Sequence, residues 1–280
     1  MKVFLGCAAC AALIVLVSSW VPPSDVGTVT VHPEPLAMPE LDRDRTIRIY
    51  LPPGYDTSDR RYPVLYMHDG QNLFDDATAY AGEWGVDEIL DELARTDGLE
   101  LIVVGVDNGG EHRMLELNPW DHPEFGPGEG DAYLAFVTDV VKPWVDARFR
   151  TQPAADATGI MGSSMGGLIS HYAAFQHADR FTRIGVFSPS LWIADEAFET
   201  TVADLSACAR LYYLVGRAEG GSMADDTERL GKQLRDEGLT AERLTVRVAP
   251  DGEHNEAFWR RELPAALRWL FVEGTKECLS

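Results

Sequence analysis

One short stretch constrains this chain more than any other: Thr158-Gly-Ile-Met-Gly-Ser-Ser-Met-Gly-Gly-Leu168. An apolar run suited to a buried strand ends in Gly162-Ser163-Ser164-Met165-Gly166, and a helical pattern begins at once. The G-x-S-x-G spacing by itself is weak, because a chain with 25 glycines produces such matches by chance. Its setting makes it specific. A strand that turns directly into a helix around a serine crowds backbone against side chains, so the flanking positions must be small. Gly162, Gly166 and Gly167 meet that need. The helix dipole then faces whatever oxyanion forms at the serine. Ser164 is therefore the candidate nucleophile, against the alternative of a merely glycine-rich turn.

The rest of the chain supplies a sheet in which such a turn can sit. Strands are expected over Thr28 to His32, Thr46 to Leu51, Pro63 to His68, Leu101 to Val106, Thr158 to Gly162, Arg183 to Ser188, Leu211 to Gly216 and Leu244 to Ala249. Several are too continuously apolar for a half-exposed edge and suit the middle of a parallel sheet. Helices are expected over Trp84 to Arg95, Asp131 to Val145, Met165 to His177, Asp226 to Glu237 and Glu256 to Leu270. The alternation is an α/β signature, with a mostly parallel central sheet flanked by helices on both faces. One long irregular stretch, Asp107 to Gly130, is rich in Gly, Pro and Asn, and a loop of that length in a compact domain is usually functional or poorly ordered.

Charge and cysteine usage narrow the setting. Against 24 Lys plus Arg stand 45 Asp plus Glu, a formal net charge of -21 that repels nucleic acid and anionic membrane surfaces. Met1 and Lys2 precede an apolar run from Val3 to Val17, then Ser18, Ser19 and Trp20, which is the layout of an export signal. Residues 1–24 are thus expected to be a signal peptide or, alternatively, an N-terminal anchor, and 25–280 a single domain in a periplasmic or secreted protein. Outside that segment the cysteines are Cys208 and Cys278, and in an oxidising compartment they are candidates for a disulfide or for two free thiols.

A serine hydroxyl needs a positioned base, itself oriented by a carboxylate. With the order Ser, acid, His along the chain, His254 is the histidine that follows the last expected strand, in a polar loop before a helix. His32, His112 and His122 lie in loops or the lead segment, His68 precedes the serine, and His171 and His177 decorate the helix after it. Glu219, just past the strand Leu211 to Gly216, is the candidate acid, with Asp225, Asp226 and Asp251 as rivals. Two backbone amides are expected to face the oxyanion: that of Met165, and one after the third strand, Gln71 with Asn72 as runner-up. No cofactor or metal is required by this chemistry.

Together these segments resemble the esterase D family of α/β-hydrolases, which includes feruloyl and acetyl-xylan esterases, siderophore esterases, S-formylglutathione hydrolase and mycolyltransferases. The resemblance rests on Tyr50-Leu-Pro-Pro-Gly-Tyr55, Tyr62-Pro-Val-Leu-Tyr-Met-His-Asp-Gly-Gln71, Glu83-Trp-Gly-Val-Asp87, Arg113 to Trp120, Gly162-Ser-Ser-Met-Gly-Gly167, Ser188-Pro-Ser-Leu-Trp192, Gly216-Arg-Ala-Glu219 and His254. It implies the α/β-hydrolase fold, a triad of Ser164, Glu219 and His254, and oxyanion amides at Gln71 and Met165. Many relatives carry Asp where Glu219 stands, so the acid is the least secure transfer. The resemblance also places the loop from Ser188 to Trp192 beside the serine and implies that Trp192 lines the substrate pocket, against a purely structural aromatic.

The reading that follows is an exported serine carboxylesterase acting on a sugar-linked, siderophore or small acyl ester. Acyl transfer by the same triad is one alternative. A non-catalytic binding module is the other, and intact Ser164 and His254 argue against it.

Overall fold

In the computed structural model, which describes residues 25–273, every one of the expected apolar runs becomes a strand of one sheet. These are β1 (Thr28–Val31), β4 (Ile47–Leu51), β5 (Val64–His68), β6 (Ile102–Val106), β7 (Thr158–Ser163), β8 (Arg183–Phe187), β9 (Arg210–Gly216) and β10 (Leu244–Ala249). Their order across the 8-stranded sheet is β1-β4-β6-β5-β7-β8-β9-β10. From β6 to β10 the neighbours pair in parallel, whereas β4 runs antiparallel to β6 and β1 antiparallel to β4. A small second sheet, β2 (Leu36–Met38) against β3 (Arg43–Arg45), was not expected. Its strands are too short, and too close to prolines, to leave a period-two signal.

Side chains of the parallel strands alternate between two cores, as a pleated strand requires. Val64, Tyr66, Val104, Ile160 and Ile184 face one, and Leu65, Met67, Val103, Met161 and Phe187 face the other. The first is covered by α3 (Gly130–Ala135), α4 (Lys142–Arg148), α5 (Met165–Gln176) and α6 (Met223–Asp236). The second is covered by α1 (Val86–Asp97) and α7 (Glu256–Phe271). Burial on both faces explains why β5 to β9 read as nearly unbroken apolar runs. The fold is that of the α/β-hydrolases.

The helix expected over Asp131 to Val145 is present, but α3 and α4 are joined by a π-helical segment, Phe136–Val141. Pro143 accounts for the change of register, since it has no N–H to donate back along the helix and its ring crowds the preceding turn. The stretch from Asp107 to Gly130 is less irregular than its composition suggests. It contains the short helix α2 (Arg113–Glu116) and is tied down by charge. Glu116, 1% exposed, accepts from Arg43 at 2.8 Å and is also bonded by Arg45, so β3 anchors the loop. Cys208 is disulfide-bonded. Cys278 and the expected export segment lie outside the described residues. Among the described residues no helix is long and apolar enough to cross a membrane, and no cluster of metal-ligating side chains is found.

Candidate active site

β7 delivers Ser163 to its end and α5 starts at Met165, so Ser164 occupies the turn alone, with φ 58 and ψ -119. A non-glycine residue adopts that backbone only when its surroundings enforce it. Here the enforcement is visible. Ser164 N–H donates to the Phe187 carbonyl at 2.9 Å, and the Ser164 carbonyl accepts from Ser190 at 3.1 Å and from Leu168 at 3.0 Å. The turn is closed tightly enough that a Cβ on Gly162 would meet the Gly166 carbonyl carbon at 2.8 Å, and one on Gly167 the Phe187 oxygen at 2.6 Å. Gly162 and Gly167 are therefore steric necessities, whereas a Cβ on Gly166 would meet His68 Cβ at 3.2 Å, a tight contact that a small shift relieves. Ser164 Oγ lies 3.3 Å from Ser190 Oγ. Met165 opens α5, so its N–H belongs to the first turn, where no intrahelical acceptor exists.

The expected acid and base are brought together. His254 Nδ1 sits 2.9 Å from Glu219 Oε2, with the imidazole one-third exposed and the glutamate side chain fully enclosed. The rivals are elsewhere: Asp225 pairs with Arg217 at 3.0 Å and Asp251 with Arg261 at 2.9 Å, both on the surface, and Asp226 lies on α6. Ser164 and His254 line one cleft of about 860 Å³. Its other walls include Gln71, Asn72, Thr78, Asn108, Arg113 and Glu256.

Opposite the elbow, β5 runs into a turn that begins at Asp69, whose backbone is left-handed with φ 55. Gln71 and Asn72 follow, both in the cleft wall. Asn72 N–H is already committed to the Asp69 carbonyl at 2.9 Å, which counts against it as an oxyanion donor. The turn is fastened by its own carboxylate. Asp69 accepts from Arg113 Nε at 2.6 Å, Arg113 Nη2 at 2.8 Å and Asn108 Nδ2 at 2.6 Å. Burial alone would raise the pKa of Asp69, but the Arg113 guanidinium and these hydrogen bonds outweigh it and hold the carboxyl below its usual range. Glu256, the first residue of α7, is raised instead, by burial and by repulsion from Asp69.

Below the elbow, His68 is enclosed against Gly162 and Gly166, bonded through Nδ1 to Tyr133 OH at 2.7 Å and pushed down by burial to about 4. His171 corrects an expectation. It does not decorate α5 but is fully buried, bonded to Tyr213 OH at 2.7 Å and the Ala197 carbonyl at 2.9 Å, and burial lowers it to about 4. α5 is covered on nearly every side, so its polar residues are buried along with its apolar ones. Trp192 is 51% exposed and is not among the residues lining the cleft. The exposed aromatic at the cleft is Tyr80, 93% exposed.

Sequence reasoning missed Arg113, Asn108 and Trp259 as parts of this site, and for Ser188 and Ser190 it had only the resemblance, which places their loop beside Ser164 without giving either residue a role. Each acts through a partner far away in the chain, and nothing in local spacing reveals such partners. For Arg113 the one available signal was its place inside a segment that carries the family resemblance.

The family described as "Putative esterase" matches residues 38–270. An uncharacterized protein of Bacillus subtilis, YbbA, is 27% identical over 244 residues, 81% of this chain and 93% of that protein. The siderophore triacetylfusarinine C esterase of Aspergillus fumigatus is 29% identical over 136 residues, 46% of this chain and 44% of that enzyme. Among solved structures, the BES protein of Bacillus cereus superposes with a TM-score of 0.72 at 18% identity, covering 95% of this chain and 99% of that one.

Proposed function

This chain belongs to the putative esterase family, whose reaction class is the hydrolysis of carboxylic esters, and from that membership we propose that it is an exported serine carboxylesterase. Ser164 Oγ attacks the ester carbonyl, and His254 accepts its proton and returns it to the departing alkoxide. Glu219 holds the imidazole tautomer in which Nδ1 carries the proton and Nε2 is free to act as base, and it stabilises the imidazolium that forms. The negative charge that develops on the carbonyl oxygen is met by the amides of Met165 and Gln71. Water then attacks the acyl-enzyme, with His254 as base again. The observation that carries this reading is the coincidence of an enforced Ser164 turn with His254 in the wall of the same cleft, the imidazole backed by the enclosed Glu219 carboxylate 2.9 Å away.

The substrate is proposed to be a sugar-linked, siderophore or small acyl ester. The cleft is large enough for such groups, and the polar side chains among its lining, such as Gln71, Asn72 and Asn108, can bond hydroxyl-bearing ones. Trp192 would then contribute only through a substrate that extends beyond the cleft. The test is a panel of p-nitrophenyl, feruloyl, acetyl-sugar and siderophore esters, with Ser164→Ala as the blank. Hydrolysis of at least one class by the wild type and none by the variant is expected. Turnover equal in both would reject the reading. Products in which the acyl group sits on an added alcohol instead of water would make the enzyme a transferase.

A further inference from the structure

We infer that Ser188 and Trp259 are positioning residues for the acid of the triad, acting on Glu219 through one directed chain of hydrogen bonds; the inference rests on Glu219 being that acid. The Glu219 side chain is 0% exposed, so its carboxylate has no water to satisfy it and depends on protein donors. Oε1 takes two of them, the Ser188 hydroxyl at 2.6 Å and the Gly216 N–H at 2.6 Å. Oε2 is thereby left for His254. Glutamate has one more side-chain torsion than aspartate, and pinning Oε1 from two directions removes the freedom that the extra torsion brings.

The direction of the chain is fixed by chemistry. An indole N–H can only donate and an ionised carboxylate can only accept. Trp259 Nε1 donates to Ser188 Oγ at 2.9 Å, so the single hydroxyl proton is committed to Glu219. The other end of Trp259 closes the circuit: its ring meets the His254 imidazole edge-on, centroids 5.1 Å apart and planes at 85°. Trp84 and Phe187 pack behind, with Trp84 5.6 Å from Trp259 and 5.4 Å from Phe187, so the indole has little room to move.

The backbone of Ser188 supplies a second, independent observation. Its φ is 44, in the left-handed region that glycine occupies freely and other residues occupy at a cost. If the turn after β8 were only a matter of chain geometry, glycine would serve it better. What serine adds at this fully buried position is a hydroxyl, and that hydroxyl is bonded to the acid.

The experiment compares wild type, Ser188→Gly, Trp259→Phe, the double variant and Glu219→Gln, all as full chains, on one activated ester with kcat and KM measured across pH. Ser188→Gly keeps the left-handed backbone without strain and is expected to fold, checked by near-UV circular dichroism. It should lower kcat by about 10-fold, the scale of one hydrogen bond to a charged group, with KM little changed. It should also move the acid limb of kcat/KM upward, because a carboxylate with one donor fewer holds the imidazolium more strongly. Trp259→Phe should act in the same direction and less, and adding it to Ser188→Gly should change kcat no further. Wild-type kcat and an unmoved acid limb in Ser188→Gly, beside a crippled Glu219→Gln, would overturn the positioning role and leave the triad standing. Wild-type turnover in Glu219→Gln would overturn the triad and the inference together.

Discussion

The two walls of the cleft are built in different ways. The elbow wall, where β7 and β8 end, is held by backbone: three hydrogen bonds fix Ser164, and glycines let the chain approach itself. The opposite wall, from Asp69 to Asn72 and on to Arg113, is held by charge: a bidentate guanidinium and one amide grip Asp69. A backbone-built wall is rigid at any pH and tolerates few side-chain changes at its glycines. A charge-built wall fails when one partner is removed or protonated, and it offers a place where activity and stability can be tuned by a single residue. The next substitutions separate the two.

The largest effect is expected at the proposed base of the elbow serine. His254→Ala should lower turnover by about 10⁴-fold or more while leaving the fold intact, because base and nucleophile act as a unit. Steady-state kinetics with circular dichroism checks it, and a loss under about 10-fold would remove His254 as the base.

On the charged wall, Arg113→Ala leaves Asp69 buried without its cation, and breaking such a pair costs about 3–5 kcal/mol. The sign with pH follows from the lowered pKa of Asp69. A carboxyl depressed in the folded state stabilises the fold above its unfolded pKa and loses that stabilisation as pH falls through the folded one. Urea unfolding of wild type and Arg113→Ala should therefore differ most near neutral pH and converge in acid. Equal stabilities at neutral pH would mean that the turn is held by its backbone, like the elbow.

A third effect lies behind the elbow. His68 and His171 are both held near 4, against an unfolded value of 6.5. Between those values the unfolded chain binds protons at these two positions that the native state refuses, so both histidines draw stability down as pH drops from 6.5 towards 4. Each histidine can contribute about 3 kcal/mol across that window. His171→Gln retains a hydrogen-bonding side chain without titrating, and should lower the slope of unfolding free energy against pH below that of the wild type. An unchanged slope would assign the acid sensitivity to other groups.

How much of this was legible in the sequence follows the same division. The strands and helices were, because burial on both faces of a parallel sheet writes unbroken apolar runs and the helices carry periodic ones. The elbow was, because steric crowding demands small residues at fixed spacing around Ser164. Glu219 and His254 were placed by chain order and by the ends of β9 and β10. Asp69–Arg113 and Ser188–Trp259 were not, since the residues of each pair are joined by the fold and separated by 44 and 71 positions in the chain. The burial of His171 was hidden for a related reason: a helix covered on nearly every side loses the polar stripe that normally shows which face is out.

The smallest effects are expected at the rival acids. Asp225→Asn and Asp251→Asn break exposed ion pairs, which are worth about 0–1 kcal/mol, and should change turnover less than about twofold. A larger loss from either would mean that the charged surface around β10 and α6 reaches the site after all.

The central claim is that the enforced turn at the end of β7 presents a nucleophile. Treatment with a fluorophosphonate, digestion and peptide mass spectrometry test it most directly. The expected result is one adduct, on Ser164, formed at neutral pH and missing from Ser164→Ala. An adduct on Ser163 or Ser190, or labelling that persists in Ser164→Ala, would contradict it.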